Sequence, residues 1–292
     1  MIANEQKVSS RTSQDVRQIR SRLSNTRLVE NRGRVTQMIG LVIESQGPMA
    51  SVGEICRIES RITGQKLLAE VVGFRERNLL LMPLGDAQGI CPGSEVVATG
   101  DSLRVPVGEA LLGRVIDGMG HPLDDFGDIP QQPLAELDLQ TPHPLKRGRI
   151  DQPFETGIKA IDTFTPLGRG QRLGIFAGSG VGKSTLMGMM ASKSEADVNV
   201  IALIGERGRE VREFLERDLD EAGRAKSVVV VATSNEPALA RVKGTFLAMT
   251  IAEHFRSQGK NVLLMMDSIT RFAMAQREIG LAIGEPPSSR GY

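Results

Sequence analysis

The stretch Ala177-Gly-Ser-Gly-Val-Gly-Lys183-Ser184-Thr185 decides the fold. It follows a short apolar run over residues 172–176, which predicts a strand, and it opens a helical pattern over residues 184–192. Gly178, Gly180 and Gly182, with Ser179 and Val181 between them, let the backbone curl so that several N–H groups point at one anion. The helix N-terminus adds its positive dipole end. Lys183 can reach the β- and γ-phosphates of a nucleotide, the Ser184 hydroxyl can ligate Mg²⁺, and Thr185 completes the motif. The first motif position is Ala177 rather than glycine. That position sits at the strand exit and does not itself cradle phosphate, so a small side chain is tolerated.

Downstream of this loop the pattern alternates. Apolar runs over 198–204, 227–231 and 261–266 are nearly continuous, as strands buried on both faces require. Between them Val211, Phe214, Leu215 and Leu219 recur at helical spacing, and a second helix carries Val242, Phe246, Met249 and Phe255. Ser234 or Asn235 is expected to cap that second helix, with Pro237 near its first turn and Gly259 at its stop. A further helix is expected over about 269–279. Strand and helix in alternation predict a parallel sheet covered on both faces.

Upstream the texture differs. Short runs at 34–42, 54–58, 66–74, 79–83 and 95–98 are separated by Gly47-Pro48, Gly64-Gln65, Gly85-Asp86 and Pro92-Gly93. Many short strands with regular turn punctuation predict a small β-barrel or sandwich. Residues 106–153 are proline-rich and read as connection and irregular structure, with tight turns at Asp117-Gly-Met-Gly120 and Asp124-Asp-Phe-Gly127. Residues 1–31 are polar and basic. Val16, Ile19 and Leu23 form one narrow apolar stripe there, so the segment reads either as a solvated terminus or as a short amphipathic helix that docks a partner. The expected organisation is thus a segment over 1–31, an all-β domain over 32–103 and an α/β nucleotide-binding domain over 104–292. The final residues, Gly284-Glu-Pro-Pro-Ser-Ser-Arg-Gly-Tyr292, are loop chemistry, and the chain reads as a piece of a longer protein.

Composition bounds the function. Thirty-six Lys and Arg against 35 Asp and Glu leave a net charge of +1, so binding to nucleic acid through bulk electrostatics is disfavoured. Cys56 and Cys91 make no CxxC, zinc spacing or disulfide framework, which suits a reducing cytosol. The start carries no apolar signal region, and no apolar run approaches the roughly 20 residues of a membrane span. His121, His143 and His254 are too scattered for a metal cluster.

Hydrolysis needs a magnesium shell and a group that orients the attacking water. In a parallel sheet, ligands collect at the carboxyl ends of the strands. Asp267 follows the run 261–266 at that edge and is the candidate to hold Mg²⁺, directly or through water; the competing reading is a helix N-cap. Glu206 follows the run 198–204, between Gly205 and Gly208, and is the candidate to polarise the lytic water. Its competing reading is an acidic residue at a helix start, favourable to the dipole. Glu210 has a weaker claim on a metal-bound water.

Three blocks in order carry a resemblance: residues 174–185, Ile204-Gly-Glu-Arg-Gly-Arg-Glu-Val211, and Met266-Asp-Ser-Ile-Thr-Arg-Phe-Ala-Met-Ala-Gln-Arg-Glu278. Residues 112–124, Pro286-Pro287 and Arg290-Gly-Tyr292 continue it. The chain resembles the type III protein-export ATPases, flagellum-specific and virulence-type, which are similar in turn to the catalytic subunits of rotary ATP synthases. The resemblance implies a β-barrel followed by a RecA-like ATPase core. It implies Glu206 as catalytic carboxylate with Arg207 beside it, Lys183 and Ser184 on phosphate and magnesium, and Asp267 as the second acidic motif. It further implies ATP and Mg²⁺ as ligands and a homo-hexamer with sites between subunits. A stator-like regulatory protein at the N-terminal segment is implied as well, together with an export gate, chaperones and unfolded cargo. The implied location is cytoplasmic, peripheral at the inner face of the membrane export apparatus. The family's trans-acting arginine and adenine-stacking aromatic belong after Tyr292, so the 292 residues alone are expected to bind nucleotide weakly and hydrolyse it poorly.

The leading reading is ATP hydrolysis that energises protein export, flagellar before virulence-type. Two others compete. A RecA-type nucleic-acid motor would grip single strands with stacked aromatics, yet residues 32–105 contain only Phe74. A non-hydrolysing nucleotide-binding subunit of a rotary ring would have no need of a carboxylate at Glu206.

Overall fold

The computed structural model describes residues 29–137, 143–178 and 180–287. The amphipathic reading of residues 1–28, the Ser179 assignment and the Arg290-Gly-Tyr292 match lie outside the described residues.

Six antiparallel strands, β1 (Arg32–Ile39), β2 (Val42–Gln46), β3 (Glu54–Glu59), β4 (Lys66–Arg75), β5 (Asn78–Pro83) and β6 (Glu95–Ser102), close a barrel in the order β1-β2-β5-β4-β3-β6. Its interior holds aliphatic side chains, among them Ile43, Ile58, Val71, Leu81 and Val96, each fully buried. The apolar run over 34–42 predicts one strand, but the chain turns at Gly40, whose φ of +59° favours glycine, and returns as β2 with Ile39 opposite Val42. β2 lacks an apolar signature because Glu44 is buried there. The Arg75 guanidinium at 2.6 Å and the Gln37 amide at 2.9 Å donate to its carboxylate. Gly33 is required by packing, since a Cβ there would overlap the backbone of Gly47.

The chain then forms β7 (Arg104–Pro106), β8 (Val115–Asp117) and β9 (Leu134–Glu136), followed by β10 (Pro153–Phe154), α1 (Lys159–Phe164) and β11 (Leu167–Gly168). The segment 106–153, expected as connection, therefore contributes strand β8 to the main sheet. α2 (Lys183–Lys193), β12 (Val198–Ile204) and α3 (Gly208–Glu213) come next, α3 continuing into a π-helical turn, Phe214–Asp218. The remaining elements are α4 (Glu221–Ala225), β13 (Ser227–Ala232), α5 (Ala238–Ser257), β14 (Val262–Asp267) and α6 (Ile269–Ile283). β14, β12, β13 and β8 lie side by side in that order, all parallel.

Alternation along β12 assigns its two faces. Val198, Val200, Ala202 and Ile204 pack with Leu247, Ile251 and Phe255 of α5 and Ile279 of α6, while Ile201 and Leu203 pack with Met187 and Met190 of α2 and with Phe214. The first of these clusters also includes Val42, Ile55, Leu80 and Met82, so barrel and sheet share one core. Lys243 of α5 and Glu70 of β4 cross that junction as an ion pair at 2.5 Å, both side chains largely buried.

Three expectations need correction. Residues 172–176 form no strand: Leu173 and Ile175 are exposed and Phe176 is 98% exposed. An extended run is held only by a hydrogen-bonded neighbour, and among the described strands β14 pairs with β12 alone. Neither Ser234 nor Asn235 caps α5; Pro237 holds the cap position, because Glu236 accepts the Thr233 N–H at 2.7 Å and closes the preceding turn. The helix expected over 269–279 runs on to Ile283, and Ser268 rather than Asp267 caps it. No helix among the described residues is long and apolar enough to cross a membrane.

Candidate nucleotide site

The site lies at the carboxyl edge of the parallel sheet, where β12 and β14 end side by side with Leu203 opposite Asp267. Facing them, residues 180–182 lead into the start of α2. Gly180 and Gly182 have φ of +76° and +92°, values that favour glycine, and a Cβ at either would meet open space. The glycines there answer a backbone requirement rather than a packing one. Gly182 caps α2 with no side-chain bond. The first-turn amides therefore keep their donors for an anion at the positive end of the helix dipole. Gly178 and Val181 are exposed along the same loop.

Lys183 begins α2 and donates from Nζ to Asp267 Oδ1 at 2.6 Å, across 84 residues of sequence. The Asp267 side chain is 9% exposed and that of Lys183 33%. A buried carboxylate at a strand end is stable there because the ammonium meets it. Ser184 is half-buried beside Lys183, and the Thr185 hydroxyl donates to Asp218 Oδ1 at 2.9 Å.

Gly205 and the two adjacent strands fix Glu206. Gly205 has φ of +71°, donates to the Ala232 carbonyl at 2.6 Å, and would meet the Arg271 side chain at 2.7 Å if it carried a Cβ. The Glu206 carbonyl accepts from the Ser234 amide at 3.0 Å. Burial pushes the Glu206 carboxyl up to about 7; its hydrogen bond to Glu210 and the charges of Asp267 and Glu210 act in the same direction, and Lys183 opposes them. Glu210 moves the other way. The proton donated by Glu206 holds its carboxylate below the usual range, and Arg207 and Arg271 contribute to the same effect. Arg207 is 80% exposed and sits 3.5 Å from Glu210. Lys183, Asp267, Glu206 and Glu210 thus form one electrostatic cluster at one edge of the sheet, with Arg207 at its outer rim.

Among the described residues, no group of three or more His, Cys, Asp or Glu is arranged to hold a metal by itself. That suits Mg²⁺, which binds through one or two protein oxygens plus substrate phosphates and water. The Ser184 hydroxyl and the Asp267 carboxylate are the hard oxygen donors that fit it.

Sequence reasoning missed several neighbours. Asp117 at the end of β8 accepts from the amides of Met119 and His121, each at 2.8 Å, and pairs with His121 Nδ1 at 3.0 Å. The Asp117-to-Gly120 turn was the available signal, but nothing in it marked β8 as part of the sheet. Ser234, expected as a helix cap, instead donates its amide to the Glu206 carbonyl, and Arg271, quoted only within the block 266–278, packs against Gly205.

A barrel followed by a parallel sheet with a phosphate-type loop and converging acids defines a class of nucleotide-binding protein. Two family models match the chain: the beta-barrel domain of the ATP synthase alpha/beta family over residues 35–100 and the nucleotide-binding domain of that family over residues 157–292. The chain belongs to the ATP synthase alpha/beta family, in the branch of flagellum-specific and type III protein-export ATPases. It is 56% identical over 263 residues to the flagellum-specific ATP synthase of Bacillus subtilis (strain 168), covering 89% of this chain and 60% of that protein. It is 50% identical over 260 residues to the type 3 secretion system ATPase of Xanthomonas euvesicatoria, covering 89% of this chain and 59% of that one. Among solved structures, the assembled ATPase EscN of enteropathogenic E. coli matches with a TM-score of 0.81 at 47% identity, over 89% of this chain and 62% of EscN. A second EscN structure, in complex with its central stalk EscO, matches equally well. The chain spans about 60% of the length of the curated relatives it matches.

Proposed function

We propose that this chain carries the catalytic nucleotide site of an ATPase that hydrolyses Mg-ATP to ADP and phosphate to energise type III protein export. The observation that carries the reading is the Lys183–Asp267 contact at 2.6 Å with Glu206 electrostatically coupled to both. The amides around Gly180–Lys183 bind the phosphates, and Lys183 turns from Asp267 to the β- and γ-oxygens. Glu206 holds the attacking water and takes its proton. A carboxyl near 7 is divided between its two forms at neutral pH, as a general base requires. Ser184 and Asp267 would hold Mg²⁺, and Glu210 accepts the hydrogen bond of Glu206 while Glu206 is protonated and would lie beside the ion's hydration shell. When bound, the ion neutralises charge on the phosphate oxygens. Arg207, exposed at the rim, orients Glu210.

The flagellar branch is preferred on the two highest of these identities, 56 and 54% to flagellum-specific relatives; other flagellum-specific relatives at 48 and 49% overlap with the type 3 secretion relatives at 50 and 45%. A homo-hexamer and a stalk-like partner follow by similarity to EscN, whose structures are of an assembled ATPase and of its complex with EscO. The export gate, chaperones, cargo and a peripheral place at the membrane extend the same reading. Steady-state hydrolysis by the full-length protein tests it. Glu206→Gln is expected to lower kcat by about 10² to 10³ with nucleotide binding retained. Unchanged turnover would remove Glu206 from the chemistry.

A further inference from the structure

The face of α2 away from the sheet is unusually polar for a helix against a core. Thr185, Gly188 and Ser192 recur at i, i+3 and i+7, which places them on one side of the helix. Each meets the segment that leaves the π-helical turn. Thr185 Oγ1 donates to Asp218 Oδ1 at 2.9 Å, and Ser192 Oγ donates to Asp220 Oδ1 at 2.6 Å. Between them a Cβ at Gly188 would overlap the carbonyl of Asp218, so only glycine permits this approach. Phe214, which opens the π turn, and Leu219, which follows it, are buried in the cluster that holds Met187 and Met190. The π turn matters to this geometry. Its extra residue shifts Asp218 out of α-helical register, and such turns cluster at functional sites.

This seam joins two functional segments. α2 begins at Lys183, the phosphate-binding lysine. The segment 206–218 begins at Glu206 and ends at Asp218. We propose that Asp218 is a positioning residue of the nucleotide site. By accepting the Thr185 hydroxyl while its own carbonyl rests on Gly188, it fixes the helix that carries Lys183 in register with the segment that carries Glu206. Asp218 acts through Thr185. The Thr185 hydroxyl is engaged by this bond, which leaves its amide for the anion. In-line attack is sensitive to displacements of an ångström between nucleophile and phosphorus, and the seam is the direct polar link that resists that displacement. Its kinetic consequence rests on the ATPase reading; its structural consequence does not.

The test uses the full-length protein. Asp218→Ala is expected to lower kcat by roughly tenfold while the Kd for a non-hydrolysable ATP analogue stays within about twofold. Asp218→Asn, whose amide oxygen still accepts from Thr185, is expected to restore most of kcat. Hydrogen exchange at the amides of Leu186 and Met187 is expected to accelerate in Asp218→Ala and not in Asp218→Asn. If the alanine variant does not fold, Thr185→Val removes the same bond and is expected to give the same loss. A folded Asp218→Ala protein with parental kcat and parental exchange overturns the proposal, and so does an asparagine variant as slow as the alanine one. A parent that does not turn over ATP refutes the ATPase reading alone, and exchange along α2 with its asparagine rescue then decides the role of Asp218.

Discussion

Replacing Glu206 by glutamine isolates the electrostatics of the site from its chemistry. Glu206 sits among Glu210 and Asp267 with Lys183 as the near cation, and burial with those acids raises its carboxyl from 4.5 to about 7. A raised carboxyl is favoured in its protonated form by folding. Its stabilising contribution is complete below 4.5 and is lost as the pH climbs through 7. The full rise corresponds to about 3 kcal/mol at about 1.4 kcal/mol per pH unit. The side chain is only partly buried, so screening by solvent reduces this to about 1–2 kcal/mol. Glutamine mimics the protonated acid and still donates to Glu210. At pH 5 the substitution should therefore be neutral, and at pH 8 it should raise the thermal midpoint by about 2–6 °C. Thermal unfolding followed by circular dichroism at both pH values, without Mg²⁺ or nucleotide, measures it. An equal shift at both pH values, or a lower midpoint at pH 8, would refute the crowded-acid account.

Other perturbations test separate contacts. Lys243→Met leaves Glu70 buried without its partner and should cost about 3 kcal/mol in denaturant unfolding, most of it recovered when Glu70→Leu is added; equal losses in single and double variants would assign the effect to packing. His121 is raised above 6.5 by its hydrogen bond to Asp117. The stability it contributes is present below 6.5 and lost as the pH passes its raised value. His121→Gln should therefore cost up to about 1 kcal/mol at pH 5.5 and little at pH 9, read from urea midpoints, since the ring is mostly exposed. A loss that does not change with pH would leave the ion pair without a role.

The sheet strands and the phosphate loop were legible in the sequence because their signals are local. Val198–Ile204 and Ser227–Ala232 are apolar at nearly every position, as burial on both faces demands, and the spaced glycines of the loop state a backbone need directly. Glu206 and Asp267 were legible as candidates because each ends such a strand. The 2.6 Å contact between Lys183 and Asp267 was not, since it depends on the pairing of β12 with β14. β8 was hidden because its three residues run directly into the Asp117-to-Gly120 turn, and its hydrogen bonds come from β13, over a hundred residues later. The apolar run at 172–176 misled for the opposite reason: composition can favour a strand, but only a neighbouring edge can hold one. The π turn that ends at Asp218 has no residue signature; it is the Leu219 amide's bond to the Phe214 carbonyl, at 2.9 Å, that marks it.

The central claim is that a nucleotide's phosphates bind at the amino end of α2 and take Lys183 from Asp267. Calorimetric titration of an ATP analogue with Mg²⁺, into the parent and into Lys183→Ala, measures this most directly. The account predicts saturable binding by the parent, weakened at least about tenfold by the substitution. Binding that is as tight without Lys183 as with it would contradict the account.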